Sequence, residues 1–318
     1  MAMSPAISSD GARLHLNSSG LSSFTREFAR HASPLSNTTA EWSISADAQD
    51  SVGERAAEVW QYRQIFWFFS LKALKTLYSK THLGVWWIFI RTLVPLLVGS
   101  FVYGSVMNIA SGGVPYLVFF LAAQVPWNCF DGPLVRGSRG LEINRQLLVK
   151  LYVPRIVLPL GGMTPGIVEP AIVALVLACT LIYYRVNEGI WYVSSEPRPM
   201  AALAALVLVL AFTFSVTLFT SVWQARARDA RFVLRYVVGF WVFFTPVIYP
   251  LSQVPPDLRW LMHLNPLTAP VETFKWAVLP GMEHSWAWLL YTLAVTVVTF
   301  LAGIRFFMRA ESETMDKI

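Results

Sequence analysis

The chain has 318 residues, of which 55% are hydrophobic and 14% charged. It is too apolar for a soluble protein and too short for a large multi-domain enzyme. The net charge is +6, but residues 1–59 hold four Arg against seven Asp or Glu, so the remainder is strongly basic. Those cations gather at the ends of hydrophobic runs, a membrane-orientation pattern that outweighs a nucleic-acid reading. Cys129 and Cys179 both sit in apolar runs and read as buried small hydrophobes. No Cys/His cluster has metal-ligand spacing, so no metal is expected.

Residues 1–53 are rich in Ser and Ala, without periodic apolar pattern or signal-peptide core. They read as a disordered cytoplasmic extension. Residues 54–81 hold an aromatic cluster punctuated by Arg63, Ser70, Lys72, Lys75 and Lys80. Such a run cannot span comfortably; it fits an interfacial amphipathic helix with its basic groups toward lipid phosphates. Six runs of membrane-spanning length follow over residues 82–318, at about 83–107, 114–131, 156–184, 200–223, 232–250 and 285–307. The fold class is therefore all-α and integral to a membrane. The segments on one side hold sixteen Lys or Arg, and those on the other hold Arg185, Arg198, Arg259 and Lys275. Both termini are thus expected in the cytoplasm.

Between the fifth and sixth runs, residues 249–281 are interrupted by Pro250, Pro255, Pro256, Pro266, Pro270 and Pro280. Each proline removes a backbone donor, so the block must consist of short pieces. Yet it is apolar and aromatic, with Tyr249, Leu258, Trp260, Leu261, Phe274 and Trp276. Broken apolar backbone beside a bilayer is tolerated only where it is buried in protein or lines a cavity. Short re-entrant gate helices on the outer, periplasmic side fit that constraint.

The ordered set Thr245 to Pro250, Arg259-Trp260, Asn265-Pro266 and Glu272-x-Phe274-Lys275-Trp276 closely resembles the last periplasmic segment of a known family. That family comprises the permease subunits of ATP-binding-cassette exporters for O-antigen, capsular polysaccharide and teichoic acid. The resemblance implies a gate built from Pro250, Arg259, Trp260, Asn265, Pro266, Glu272, Phe274 and Trp276. It also implies an interfacial helix ending near Lys72 to Tyr78, where Ala73 and Leu77 depart from the family's pattern.

Residues Glu142 to Val153 can form a short amphipathic helix ended by Pro154. Asn144, Leu147, Lys150, Val153, Pro154 and Arg155 match the family stretch that docks on the ATPase, with Glu142 and Tyr152 on the same segment. Arg228, Asp229 and Arg231 match an Arg-Asp-x-Arg pattern in the next loop, where an orientation signal with a local salt bridge fits equally well.

Ionisable residues inside spans are costly and default to functional suspects. Arg91 lies early in the first run and Glu169 in the middle of the third, roughly 7–8 Å apart in helical depth, which a long arginine can bridge. A structural ion pair is one role for them, and a pore-lining sugar contact or proton relay is another. Sugar faces stack on aromatic rings, which makes Trp86, Trp87, Phe89, Trp241, Phe244 and Tyr249, with Arg91, candidates for the channel lining.

The resemblance implies a homodimer bound to two ATPase subunits that exports a lipid-linked polysaccharide across the bacterial inner membrane. Membrane lipids would surround it, and no nucleic acid is involved. No phosphate-binding Gly-rich loop occurs, so this chain should bind no cofactor, with ATP and Mg on the partner subunit. A permease for a small drug or lipid would share the architecture but lack the aromatic gate. A membrane-embedded acyl- or glycosyltransferase would need clustered polar groups, whereas His82, His263 and His284 are scattered singly. The purified chain alone is expected not to hydrolyse ATP, and turnover by protein free of other subunits would overturn the transport reading.

Overall fold

In the third and longest apolar run, Pro165 interrupts the helical ladder by withholding an N–H from the Gly161 carbonyl. The Thr164 hydroxyl donates to that carbonyl instead, at 2.7 Å. The chain therefore tightens into a 3-10 turn over Thr164–Ile167 and continues as helix on the far side. Repairs of this kind recur throughout the structure, a computed structural model that describes residues 63–78, 86–145, 154–196, 198–227 and 229–315. The expected N-terminal extension over residues 1–53 lies outside the described residues, as does the first part of the expected interfacial segment.

Among the described residues every regular element is helical. In chain order they are α1 (Arg63–Tyr78), α2 (Trp86–Ser100), α3 (Tyr116–Gly137), the single turn α4 (Gly140–Ile143), α5 (Val157–Met163), α6 (Val168–Asn187), α7 (Pro199–Arg226), α8 (Ala230–Trp241), α9 (Pro256–Leu264), α10 (Thr268–Val278) and α11 (Trp286–Met315). Four stretches are long and apolar enough to cross a membrane: Trp86–Val106, Val157–Asn187, Pro199–Arg226 and Trp286–Ala310.

Two expected spans differ from what the sequence suggested. The second does not end near residue 131, because α3 continues to Gly137 and carries Asp131 and Arg136 with it. The fifth, expected over 232–250, is helical only from Ala230 to Trp241, with a 3-10 turn over Val242–Phe244. The chain then turns through Thr245 to Pro250 into the proline-broken block. Cys179 also departs from expectation: it is exposed on α6, whereas Cys129 is buried.

α3 is the hub. It packs against α5, α6, α7 and α10, and Phe119, Phe130 and Leu134 on it are fully buried. Its Pro133 leaves the Cys129 carbonyl without the usual helical donor, and the Thr213 hydroxyl of α7 lies 3.4 Å from that oxygen. The 3-10 turn crosses α3 at backbone contact. A Cβ on Gly166 would fall 2.3 Å from the Pro133 nitrogen, so this crossing requires glycine. Along α7, the buried hydroxyls of Thr213 and Thr217 donate to the Val209 and Thr213 carbonyls, which removes their need for water. α11 lies along α7, with the Phe219 and Phe306 rings stacked 5.3 Å apart.

The proline-broken block forms two short helices, α9 and α10, joined at Asn265-Pro266. α10 is the more deeply set. Its Lys275 is 0% exposed and donates to Glu272 Oε1 at 2.6 Å and to the Pro246 carbonyl at 3.0 Å, with its ammonium 4.5 Å from the Phe119 ring centre. Removing one partner of a buried pair leaves the other charge uncompensated and costs about 3–5 kcal/mol. Lys275→Met is therefore expected to lower the thermal unfolding midpoint of the purified protein strongly, and Lys275→Met with Glu272→Gln to recover part of the loss.

Candidate functional site

A cavity of about 730 Å³ opens between α1, α2, the second half of α3, the start of α6 and α8. Among the described residues five cations line it, Lys72, Arg91, Arg136, Arg139 and Arg235, with two carboxylates, Asp131 and Glu169. Such charge is expensive beside lipid unless paired, or unless it serves a charged or hydrated ligand.

Glu169 organises this chemistry. The 3-10 turn before α6 places it in the first turn of that helix, facing α3. Gly132 on α3 leaves room, since a Cβ there would come 3.1 Å from the Gly166 carbonyl and 3.6 Å from Glu169 Oε2. Glu169 Oε1 accepts a hydrogen bond from Arg136 Nη2 of α3 at 2.6 Å, and Arg91 of α2 pairs with the same oxygen. One carboxylate thus serves arginines from two other helices. The Glu169 side chain is 18% exposed and that of Arg91 45%, so the arginine still reaches the open cavity. Asp131 of α3 and Arg235 of α8 line the same cavity.

At the mouth, Lys72 Nζ of α1 donates to Asn144 Oδ1 at 3.0 Å, and Asn144 Nδ2 donates to the Gly140 carbonyl at 2.9 Å. Burial lowers the Lys72 pKa from the usual lysine value. Lys72 was expected to face lipid phosphates; instead it turns inward and joins α1 to the turn after α3. Glu142 lies 3.7 Å from Arg139 and 3.8 Å from Arg231 of α8.

The other residues singled out in the sequence are distributed as follows. Leu147, Lys150, Tyr152 and Arg228 lie outside the described residues. Pro154 is buried ahead of α5, Arg155 is half-buried, and Asp229 is exposed before α8. Trp86 and Trp87 are exposed on α2, with the Phe89 ring 5.9 Å from that of Trp86. Phe244 is exposed, whereas Trp241 sets its edge on the core ring of Phe130 at 5.2 Å. The Tyr249 hydroxyl donates to the Phe243 carbonyl at 2.5 Å. Of these candidates for the channel lining, Trp86 and Phe89 meet on α2, and Trp241 packs into the core.

In the broken block, Pro250 is buried and leads into a 3-10 turn over Leu251–Gln253. Arg259 donates to the Val254 and Ser252 carbonyls at 2.9 and 2.8 Å, closing that turn onto α9. Asn265 uses its whole amide. It accepts from Trp241 Nε1 and the Leu267 N–H, and donates to the Phe244 carbonyl and Thr245 Oγ1, all at 2.8–3.1 Å. Pro266 follows in the turn to α10. Phe274 is buried, Trp276 is half-buried under the Arg198 guanidinium, and Trp260 is 58% exposed.

Sequence reasoning found Arg91 and Glu169 but missed Asp131, Arg136 and Arg235 as members of the same site. Arg136 and Arg235 had served only as orientation charges at the ends of spans. The available signal was their spacing: Asp131 and Arg136 share the end of one helix, and Arg235 follows Arg231 by one turn of another.

With this geometry in hand, comparison with known proteins places the chain. The O-antigen export system permease protein RfbA of Myxococcus xanthus is 26% identical over 267 residues, 82% of this chain and 98% of that protein. RfbA of Klebsiella pneumoniae is 22% identical over 223 residues, 69% of this chain and 82% of its own length. The polysialic acid transport protein KpsM of Escherichia coli is 24% identical over 252 residues, 77% and 92% of the two chains. The pattern of the ABC-2 type transporter family matches residues 64–279, from α1 to just beyond α10, and the chain belongs to that family.

Proposed function

We propose that this protein is the membrane subunit of an exporter for a lipid-linked polysaccharide, and that the cationic cavity receives the anionic head by which the glycan is joined to its lipid. The observation that carries this reading is the imbalance of five cations over two carboxylates in a cavity between membrane helices. Arginine suits phosphate recognition because its planar donors match phosphate oxygens, and its charge-assisted hydrogen bonds are strong. The relatives named above, which export O-antigen or transport polysialic acid, support a glycan substrate.

The chain then crosses the inner membrane six times, with α3 and the short α8 segment as the two crossings besides the four long apolar ones. Both termini face the cytoplasm, as the distribution of Lys and Arg supports. Two copies form the channel. α2 exposes Trp86, Ile90, Val94 and Leu97, and α8 exposes Phe232, Tyr236 and Phe240, stripes at helical spacing that a second copy would cover. α9 and α10 serve as the outer gate. Two copies of a separate ATPase engage the segment containing Glu142, Asn144, Leu147 and Tyr152, and bond chemistry belongs to that partner, so this chain is not itself an enzyme.

A charge-assisted hydrogen bond contributes about 1.5–3 kcal/mol, so losing one weakens recognition on the order of ten- to a hundredfold. Arg235→Gln combined with Lys72→Gln is expected to cut export of an anionic lipid-linked glycan by at least about tenfold, in liposomes holding permease and ATPase. Basal ATP turnover should persist, and export of the anionic substrate at the unmodified rate would defeat the proposal.

A further inference from the structure

The two histidines among the described residues, His263 and His284, both lie in or beside the outer block, and both stack on tryptophan. His263 lies flat on Trp288 of α11, with ring centres 4.5 Å apart and planes within 1°. His284 stacks on Trp276 of α10 at 4.4 Å and meets the edge of Trp286 of α11 at 4.5 Å. Trp276 also carries Arg198, from the segment between α6 and α7, 4.0 Å from its ring centre. The end of α10, the α6–α7 segment and the start of α11 thus converge on one aromatic column. A main-chain bond from the Ser194 N–H to the Val278 carbonyl, at 2.9 Å, lies beside it.

The protonation state of His284 follows from its neighbours. The Thr273 hydroxyl has one hydrogen, directed at the Ala269 carbonyl 2.7 Å away. His284 Nδ1, 3.1 Å from the Thr273 oxygen, must therefore be the donor between them. The neutral ring then carries its lone pair on Nε2, which is buried and has no hydrogen-bond partner. A second proton would place an N–H there with no acceptor among the described residues, on a ring that shares Trp276 with the Arg198 guanidinium.

The surrounding charges do not offset this. From the α6–α7 segment come Arg198 and Glu196, and the glutamate is engaged with Arg198 at 2.7 Å. On α10 the Glu272–Lys275 pair is directed at Pro246 and Phe119. Glu283, next in the chain, is exposed, and the first turn of α11 has no acid. We propose that His284 is an acid-labile latch: neutral, it holds the end of α10 to the α6–α7 segment and to α11, and protonated, it releases them. The direction of opening rests on the reading above that this block faces outward, so that the external pH reaches the latch.

The sign is consistent. Burial first, and Arg198 second, lower the proton affinity of His284 below the ordinary histidine value. A base held neutral in the folded state contributes stability that is intact above about pH 6.5 and is lost as the pH falls. One such proton changes the open population by up to about tenfold per pH unit.

Two readouts on the full chain test this without substrate or ATPase. In lipid nanodiscs, the imidazole NMR signal that disappears in His284→Phe should titrate below the ordinary histidine range, and Arg198→Gln should move its midpoint upward. In liposomes, small-ion leak should rise as the outer pH steps from about 7.5 to about 5, by up to about tenfold per unit below about 6.5. His284→Phe, which keeps a ring for stacking, should flatten that rise. An ordinary or raised His284 midpoint, or an acid-induced leak of unchanged size in His284→Phe, overturns the latch. Either result leaves the export reading standing, because that reading is judged by glycan transport.

Discussion

A single carboxylate between two arginines joins three helices of this molecule. Glu169 on α6 accepts from Arg136 on α3 and pairs with Arg91 on α2. Along the described lining of the cavity, cations outnumber carboxylates. In a low-dielectric setting that surplus either raises the energy of the packed state or attracts an anion. Among the described residues the lining also includes Lys72, Arg139, Arg235 and Asp131, with Glu142 3.7 Å from Arg139. The interaction that joins the helices thus also forms part of the cavity wall.

The proline-broken block is organised differently. There the central polar groups are satisfied within the protein: Asn265 uses every donor and acceptor of its amide, and Lys275 is enclosed by Glu272, Pro246 and Phe119. A fully paired network resists water and fixes one arrangement. The two ends thus differ in kind: the cavity gathers cations around few carboxylates among its described lining, whereas Asn265 and Lys275 are enclosed by partners within the fold. α10 is locked into the core, whereas α9 leaves Leu258, Trp260 and Leu261 uncovered, so the two short helices differ in how firmly they are held.

Much of this was legible in the sequence because bilayer physics leaves few options. Apolar runs of about twenty residues specify helices, and clustered prolines specify short pieces. The pairing of Arg91 with Glu169 was foreseeable from two isolated charges at compatible depths. Two kinds of information were not local. Asp131 and Arg136 looked like the end of a span because hydropathy cannot see that α3 continues as buried helix beyond its apolar part. Lys72 looked lipid-facing because nothing nearby in sequence announces Asn144, seventy-two residues away. The crossing at Gly166 is legible only in reverse: a glycine after a proline suggests a turn, and the 2.3 Å contact with Pro133 supplies the reason.

The central claim, that Glu169 couples to the arginines of neighbouring helices and so sets the charge of the cavity, is most directly tested by a double-mutant cycle. Glu169→Gln, Arg136→Gln and their combination would be compared by unfolding of the purified protein in one lipid environment. Coupled groups in contact show interaction energies of about 0.5–3 kcal/mol, so the double variant should be clearly more stable than the sum of the single losses. Additivity within about 0.3–0.5 kcal/mol would mean that the two residues act independently, and would contradict the account.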